Sequence, residues 1–432
     1  MATAPKDKFA NLKALRPANR PASASTAEAS VQTVEPCDSL AELLGATSQR
    51  NRFGEHLSIR RWYSDPSSID PGLESLRLLL PGAPPDAADP QRWLFLDTET
   101  TGLAGGSGTY AFLVGIAWWD TAGLEVEQFF MRDHSEEHSV LFELRKRMLE
   151  RPILLTFNGK SFDWPLLETR FRMTRSIPPH PPLAHIDLLH PSRQLWRLRV
   201  GNARLSQLEE HVLGWRREGD VFSELIPQIY FDFLRTGAAA PLVPVIRHNQ
   251  MDLRGLAALT RKAFSLLASP ESEGSDAFEL YGVSRILSRH GHRARARQLF
   301  GSTLDAGLPP ELETLARGHL ARLAKLDRDY PAATLLWEQL RCKKNASIVE
   351  RTEACIELAI HFEHRARDPL RAAEIMRDAL AQLSAGTKQS GPAAVRCRKL
   401  RARVQHRLER LTRKCLQPRI GAASPAPFAR QR

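Results

Sequence analysis

Two carboxylates follow an apolar stretch in the first quarter of the chain. The segment RWLFLDTETTGL, residues 92–103, runs from apolar residues into Asp97 and Glu99. Because side chains alternate between the two faces of a β-strand, these acids share one face where the strand meets solvent. Carboxylates this close repel each other unless a cation lies between them, and Mg²⁺ and Mn²⁺ prefer oxygen ligands. The spacing indicates a divalent-cation site, although a solvent-exposed strand end with incidental acids would have the same pattern.

A third carboxylate follows a later apolar strand and occupies a comparable position. In LLTFNGKSFDWPLL, residues 154–167, the strand ends at Phe157, an Asn-Gly turn follows, and Asp163 comes early in a helix. This order places Asp163 beside the same edge of the sheet. The alternative is an acid in the first helical turn, where the helix dipole favours negative charge.

A histidine and an aspartate are four residues apart in IRHNQMDLRGLAAL, residues 246–259. On a helix this spacing puts His248 and Asp252 on one face. Histidine suits general-base work because its pKa lies near neutrality, although a surface His–Asp pair has the same spacing. Taken together, four carboxylates at a sheet edge are what two-metal phosphodiester hydrolysis requires, with two cations about 3.5–4 Å apart.

The elements around these residues predict an α/β layer with a mixed sheet. Apolar segments at 93–97, 110–120, 124–131, 153–157 and 183–189 have strand length, and the second and third form a hairpin. Helical patterns separate the later strands and continue to about residue 267. A further alternating segment at 56–63 also predicts a strand. It lies in an extension, residues 38–90, that we expect to pack on the α/β domain.

Beyond a polar linker at 269–276 every periodic segment is helical. Similar segments begin at Ala296, Ala332 and Ala372, which are 36 and 40 residues apart. Tetratricopeptide repeats have a period of about 34 residues, so we expect tetratricopeptide-like helix pairs over 276–385, with an ordinary helical domain as the alternative. Residues 388–432 form a basic helix and tail whose only acid is Glu409. Such a helix is either simply solvated or contacts phosphates.

Composition limits the classes of function. The 432 residues have a formal net charge of +12, which favours an anionic partner such as nucleic acid. The five cysteines include no Cys-x-x-Cys pair, and we interpret them as reduced in a cytoplasmic protein. No apolar run approaches the roughly 20 residues of a membrane span, so we expect no membrane partner. Residues 1–37, rich in Ala, Pro and Ser, predict a disordered tail.

The motifs also carry a family resemblance. DTETTG, NGKSFDWP and HNQMD resemble, in order and form, the three exonuclease motifs of the DEDD (DnaQ-like) superfamily. More narrowly, FLDTETTGLAGGSGTYAFLVGIAWW, LLTFNGKSFDWPLLETRF and HIDLLHPSRQLW are similar to the YprB-type ribonuclease H-like domain. Members of that family commonly join this domain to tetratricopeptide-like helices. The resemblance covers about residues 40–267. It implies an α/β ribonuclease H-like domain at 91–268, with a mixed five-stranded sheet and flanking helices, followed by an all-α tetratricopeptide-like domain.

The resemblance implies a role for each motif residue. Asp97, Glu99, Asp163 and Asp252 would be the ligands of two Mg²⁺ or Mn²⁺ ions, with Asp97 bridging both, and His248 would orient or deprotonate the attacking water. The four-residue spacing from His248 to Asp252 departs from the pattern, because it belongs to the branch that normally has tyrosine there. His248 therefore occupies the position that tyrosine has in that branch. Neighbouring polar residues are expected to contact substrate, namely Thr98, Thr101, Asn158 and Asp187.

The implied activity is a metal-dependent nuclease, a 3′→5′ exonuclease acting on single-stranded ends of DNA or RNA. Two alternatives remain open from the sequence. One is a non-catalytic nucleic-acid-binding scaffold whose helical repeats recruit a protein partner. The other is a repeat-based interaction protein with a vestigial front domain.

Overall fold

The architecture is known from a computed structural model that describes residues 38–64, 69–102, 108–120, 122–272, 275–385 and 392–416. The predicted disordered tail, residues 1–37, lies outside the described residues. The strands are β1 Thr47–Asn51, β2 Gly54–Ser64, β3 Trp93–Thr100, β4 Ala111–Trp119, β5 Gly123–Phe130, β6 Ile153–Thr156 and β7 Ala184–Asp187.

The helices divide into those around the sheet and those that follow it. The first group is α1 Asp38–Leu44, α2 Leu73–Leu79, α3 Glu137–Glu150, α4 Asp163–Met173, α5 Leu189–Leu195, α6 Arg197–Val200, α7 Leu205–Leu208, α8 Ile226–Thr236 and α9 Leu242–Ala268. The second group is α10 Ala277–Arg289, α11 Arg293–Asp305, α12 Pro310–Leu326, α13 Tyr330–Cys342, α14 Ile348–His364, α15 Pro369–Ala385 and α16 Pro392–Leu416.

The sheet has seven strands in the order β1-β2-β5-β4-β3-β6-β7. The prediction of a mixed sheet is confirmed, since β3 pairs antiparallel with β4 and parallel with β6. The prediction of five strands is wrong. The segment 56–63, assigned to an extension, is part of β2 and pairs with β5 from Leu57↔Phe130 onward. Strand β1 escaped prediction because its sequence TSQRN is polar and its side chains are mostly exposed, so it has no apolar alternation.

Both faces of β3 are covered, which explains its continuous apolar sequence. Phe95 belongs to a core cluster that includes Leu253 and Leu256 of α9. Leu94 and Leu96 belong to a second cluster with residues of α3, α4 and α8. By strand alternation Asp97 and Glu99 follow Phe95 on the α9 side, whereas Thr98 follows Leu96 on the α4 side.

The second group of helices packs successively, each against the next, from α10 to α16. Capping boxes fix the start of two of them: Asp276 with Glu279 before α10, and Ser347 with Glu350 before α14. The core on the Phe95 side of the sheet continues into α10–α12, and the indole Nε1 of Trp196 donates to Glu279 at 2.9 Å. The predicted domain boundaries and the tetratricopeptide-like pairing remain predictions. None of the helices in the described part of the chain is both long and apolar enough to cross a membrane.

Candidate metal centre

Strand β3 brings Asp97 and Glu99 to the edge of the site. Asp97 is paired in register with Gly115 of β4, and Glu99 with Leu113, after which the ladder slips at Thr100. An irregularity of this kind bends a strand locally and re-aims its side chains, and it is frequent next to active sites. Both acids lie on the α9 side of the strand, as the alternation predicts.

Asn249 of α9 fixes the carboxylate of Asp97. Its Nδ2 donates to Asp97 Oδ2 at 2.7 Å and lies 3.3 Å from the Asp97 carbonyl oxygen. Its Oδ1 accepts from Gln128 Nε2 at 2.7 Å, which sets the orientation of the amide. The close approach depends on Gly115, because a Cβ there would lie 2.0 Å from Asn249 Oδ1. Asn249 lies inside the HNQMD motif, but the sequence analysis gave it no role.

Helix α9 brings His248 and Asp252 up to Glu99. Ligand atoms of Glu99, His248 and Asp252 all lie within 4.8 Å of one another. His248 Nε2 is 3.9 Å from Glu99 Oε1 and 3.5 Å from Asp252 Oδ2. The imidazole is nearly buried, with 8% of the side chain exposed. Two carboxylates and an imidazole form a donor set that suits a divalent cation.

Asp163 begins α4 and contacts the end of β3 through Thr98. Its Oδ1 accepts a hydrogen bond of 2.5 Å from the Thr98 hydroxyl. Thr98, predicted to bind substrate, is thus engaged with a predicted metal ligand. Asp163 is not part of the Glu99–His248–Asp252 cluster, and neither is Asp97. The negative charge of Asp163 nevertheless reaches both acids of β3, since it raises their pKa values.

Burial and mutual repulsion raise the pKa values of the acids. The pKa of Asp97 lies well above its usual range, first because of burial and then because of the charges of Asp252, Asp163 and Glu99. The pKa of Glu99 is raised by burial and by Asp252 and Asp163. Burial raises the pKa of Asp163 to about 6. Ionising all of these groups in one place is therefore unfavourable without a nearby cation.

A second layer of charge, which the sequence analysis missed, surrounds this cluster. His248 Nδ1 lies 2.6 Å from Asp220 Oδ1. If Nδ1 carries the proton and donates it to this carboxylate, the lone pair of Nε2 is directed toward Glu99 and Asp252. The hydrogen bond from His248 lowers the pKa of Asp220, although burial opposes it.

Arg217, also in this second layer, links Glu209 and Asp220 to Asp252 of the cluster. It donates to Glu209 Oε1 at 2.7 Å, to Asp220 Oδ2 at 3.1 Å, and also to Asp252 Oδ1. Burial opposes its charge, but the hydrogen bonds to Glu209 and the charge of Asp252 raise the pKa of Arg217. Arg217 and Asp220 lie in an irregular stretch between Leu213 and Ser223, where no periodicity marks them. The only local signal is the charged run RREGD, residues 216–220.

The remaining predicted substrate-binding residues have local partners. Asp187 Oδ1 accepts from the backbone N–H groups of Asn158 at 2.8 Å and Leu189 at 3.0 Å, and its Oδ2 accepts from Lys160 N–H at 3.1 Å. These bonds stabilise the turn in which Asn158 has a positive φ of 68°. Thr101 Oγ1 accepts from the backbone N–H of Tyr110 at 2.9 Å and so ties together the two ends of the intervening loop. Residues 103–107 of that loop lie outside the described residues.

Comparisons with known proteins identify the family of the chain. A family model described as RNase_H superfamily matches residues 94–264, a range that includes all five predicted catalytic residues. Over 288 residues the chain is 31% identical to the uncharacterized protein YprB of Bacillus subtilis (strain 168), an alignment that covers 66% of this chain and 68% of YprB. The chain therefore belongs to the ribonuclease H superfamily and, within it, to the YprB family.

Membership of this family indicates the general class of activity. The superfamily fold indicates a nuclease-type hydrolase with a nucleic-acid substrate, and ribonuclease H-like nucleases usually use divalent metals. The acidic cluster of Glu99, His248 and Asp252 fits such a metal by its donor chemistry.

Proposed function

We propose that the protein is a metal-dependent nuclease that hydrolyses phosphodiester bonds of single-stranded DNA or RNA. The mode we propose is 3′→5′ exonucleolytic, by a two-metal mechanism with Mg²⁺ or Mn²⁺. The observation that carries the proposal is the meeting of Glu99, His248 and Asp252 beside Asp97 and Asp163 at the end of β3. A purely structural role would not favour this grouping, because the acids raise one another's pKa values at a cost in stability.

Asp97, Glu99, Asp163 and Asp252 would hold the cations in this proposal. When bound, the metals supply charge stabilisation and a nucleophilic water at neutral pH. The protein contributes the fixed positions of the ligands. Asn249 orients one oxygen of Asp97, and the Thr98 hydroxyl orients Asp163. Such partners restrict the rotation of the carboxylates and so favour binding.

His248 is proposed to act on the attacking water or to serve as a further ligand. If Nδ1 donates to Asp220, Nε2 is an acceptor that lies 3.5 Å from Asp252 Oδ2 and 3.4 Å from Ser223 Oγ. A neutral imidazole in this orientation can take a proton from water, and the resulting positive charge would be stabilised by Asp220 behind it. Both tasks need the same tautomer, so the Asp220 contact supports either one.

A cleavage assay tests the proposal. The full-length protein is incubated with single-stranded DNA or RNA in Mn²⁺, Mg²⁺ or EDTA, with the label at the 5′ end in one set and the 3′ end in another. We expect metal-dependent loss of substrate, with early release of the label only from 3′-labelled strands. Asp97→Asn and Asp252→Asn should lower the rate by several orders of magnitude. Asp378→Asn, an exposed position on α15, is the matched control and should leave the rate unchanged.

Three outcomes would contradict this proposal. Cleavage in EDTA, or cleavage undiminished in Asp97→Asn, would identify a contaminant. Binding of single strands without cleavage under any metal would favour the non-catalytic scaffold. Early release of label from the 5′ end would retain the nuclease and reject the proposed direction.

A further inference from the structure

Three neighbouring cavities join into one groove on the second group of helices. The largest, about 680 Å³, lies among α12, α13, α14 and α16. It shares Leu315 and His319 with a cavity of about 430 Å³ beside α10. It shares Ile356 and Arg403 with a cavity of about 290 Å³ along α16. We call this continuous surface the arginine groove, which is lined by Arg285, Arg289, Arg322, Arg396, Arg403 and Arg410 among others.

The acids that line the arginine groove already have partners. Seven arginines and three glutamates line the three cavities. Glu350 accepts from the backbone N–H of Ser347 at 2.8 Å in the capping box of α14. Glu353 lies 3.2 Å from Arg396, and Glu357 accepts from Lys325 at 2.5 Å. Cations therefore compensate Glu353 and Glu357, and a backbone N–H engages Glu350.

Several of the arginines lack such compensation. Arg289 and Arg403 are exposed, and neither forms an ion pair within the part of the chain that the structure describes. Arg285 lies over the ring of Tyr281 at 5.6 Å rather than beside an acid. By contrast, the Arg407 guanidinium is partly buried and pairs with Glu363 at 3.0 Å. Burial and the nearby charge of Arg410 lower its pKa, while the charges of Glu363 and Glu357 oppose this shift. Arg322 and Arg396 pair with Glu353, and Arg407 and Arg410 pair with Glu363. The uncompensated positive charge of the groove therefore lies at Arg285 and Arg289 on α10 and at Arg403 on α16.

We propose that the arginine groove binds the backbone phosphates of the single-stranded nucleic acid that the metal centre cuts. That the ligand is nucleic acid rests on the proposed function. That the ligand is an anion rests on the positive charges of the arginines that line the groove. Phosphates spaced along a flexible strand match a row of separated guanidinium groups. Leu198 and Leu315, each 41% exposed, line the groove between the arginines and offer apolar contact to sugars and bases.

Binding to labelled single-stranded oligonucleotides in EDTA tests the groove without cleavage. The variant is Arg289→Glu with Arg403→Glu in the full chain. The control is Arg293→Glu with Arg398→Glu, which makes the same change in net charge at exposed positions on α11 and α16 outside the groove. We expect the groove variant to bind about tenfold or more weaker at low salt. The slope of log K against the logarithm of the salt concentration should become smaller in magnitude by about 1.4, because two phosphate contacts are lost. The control should change affinity less than about twofold.

Other outcomes separate the groove from the metal centre. Equal weakening in both variants would mean bulk attraction and overturn the proposal. Unchanged oligonucleotide binding with weakened binding of a labelled polyglutamate peptide would mean a docking site for acidic protein, and would also overturn it. Unchanged binding together with intact metal-dependent cleavage would reject the groove alone. Groove-dependent binding by a protein that cleaves nothing would reject the nuclease proposal and leave the groove standing. Matching thermal unfolding curves of the two variants would show that both are folded.

Discussion

The substitution Asp163→Asn should stabilise the protein when no divalent cation is bound. The carboxylate of Asp163 is half-buried at the end of β3, and Thr98 donates to it. Asparagine has nearly the same shape and its amide oxygen still accepts this hydrogen bond, but it cannot ionise. The change therefore removes a charge and retains the packing, so that its effect on stability reports the electrostatic cost of the site.

The expected gain follows from the pKa of Asp163. Burial raises it from 3.8 to about 6. A raised acid pKa means that the unfolded chain ionises first as pH increases, so the folded state loses stability between the two values. At ~1.36 kcal/mol per unit, the penalty is about 3 kcal/mol above pH 7 and falls to about 0.5 kcal/mol at pH 4. Asparagine avoids this penalty, so its advantage should grow with pH over that window.

Denaturant unfolding at pH 4 and pH 8 in EDTA, followed by circular dichroism, measures this dependence. Asp163→Asn should unfold at a higher denaturant concentration than the unmodified protein at pH 8 and at nearly the same concentration at pH 4. Asp378→Asn, the exposed control, should change little at either pH. In Mn²⁺ at pH 8 the unmodified protein should be more stable than Asp163→Asn, since the bound cation then stabilises the charged carboxylate. A variant that is less stable at pH 8 in EDTA, or one equally stabilised at both pH values, would refute the electrostatic reasoning.

Three further changes probe the partners of the acids. Gly115→Ala would place a Cβ 2.0 Å from Asn249 Oδ1, and we expect a loss of at least about 2 kcal/mol of stability, measured by denaturant unfolding, together with slower cleavage. Asp220→Asn would remove the carboxylate beside His248 Nδ1, and steady-state kinetics should show kcat lowered about 10–100-fold with KM little changed. Arg217→Gln would remove a cation paired with three acids, so calorimetric titration with Mn²⁺ should show tighter binding while the thermal unfolding temperature in EDTA falls.

The parts of the site that obey local periodicity were predictable from sequence. Asp97 and Glu99 share a strand face because alternation has a period of two, and His248 and Asp252 share a helix face because they are four apart. The start of β3 at Trp93 was visible as a continuous apolar run, which a strand buried on both faces requires. The α/β layer with a mixed sheet followed from these elements in order, whereas the ribonuclease H-like fold was implied by the resemblance of the motifs.

The parts set by distant contacts were not predictable in the same way. Nothing in TSQRN indicates a strand, because β1 gains its place through pairing with β2. Asp187 ends β7, and its carboxylate accepts from three backbone N–H groups, two in the turn at Asn158 and one at Leu189. Arg217 and Asp220 reach α9 from a stretch without periodicity, about thirty residues earlier in the chain. Only the folded chain brings such residues together.

The balance of charge around the site links its stability to its proposed chemistry. Arg217 already pairs with Glu209, Asp220 and Asp252. Within the described part of the chain no arginine or lysine forms an ion pair with the other three proposed ligands, Asp97, Glu99 and Asp163. Burial raises the pKa values of all three, and the charges of neighbouring acids raise those of Asp97 and Glu99 further. The large apolar core on both faces of the sheet must offset this cost of ionisation. A divalent cation bound among these acids would reduce the same cost. The free energy that destabilises the metal-free protein therefore contributes to its affinity for the metal. A conservative substitution that removes one of these charges should reduce both the destabilisation and the metal affinity.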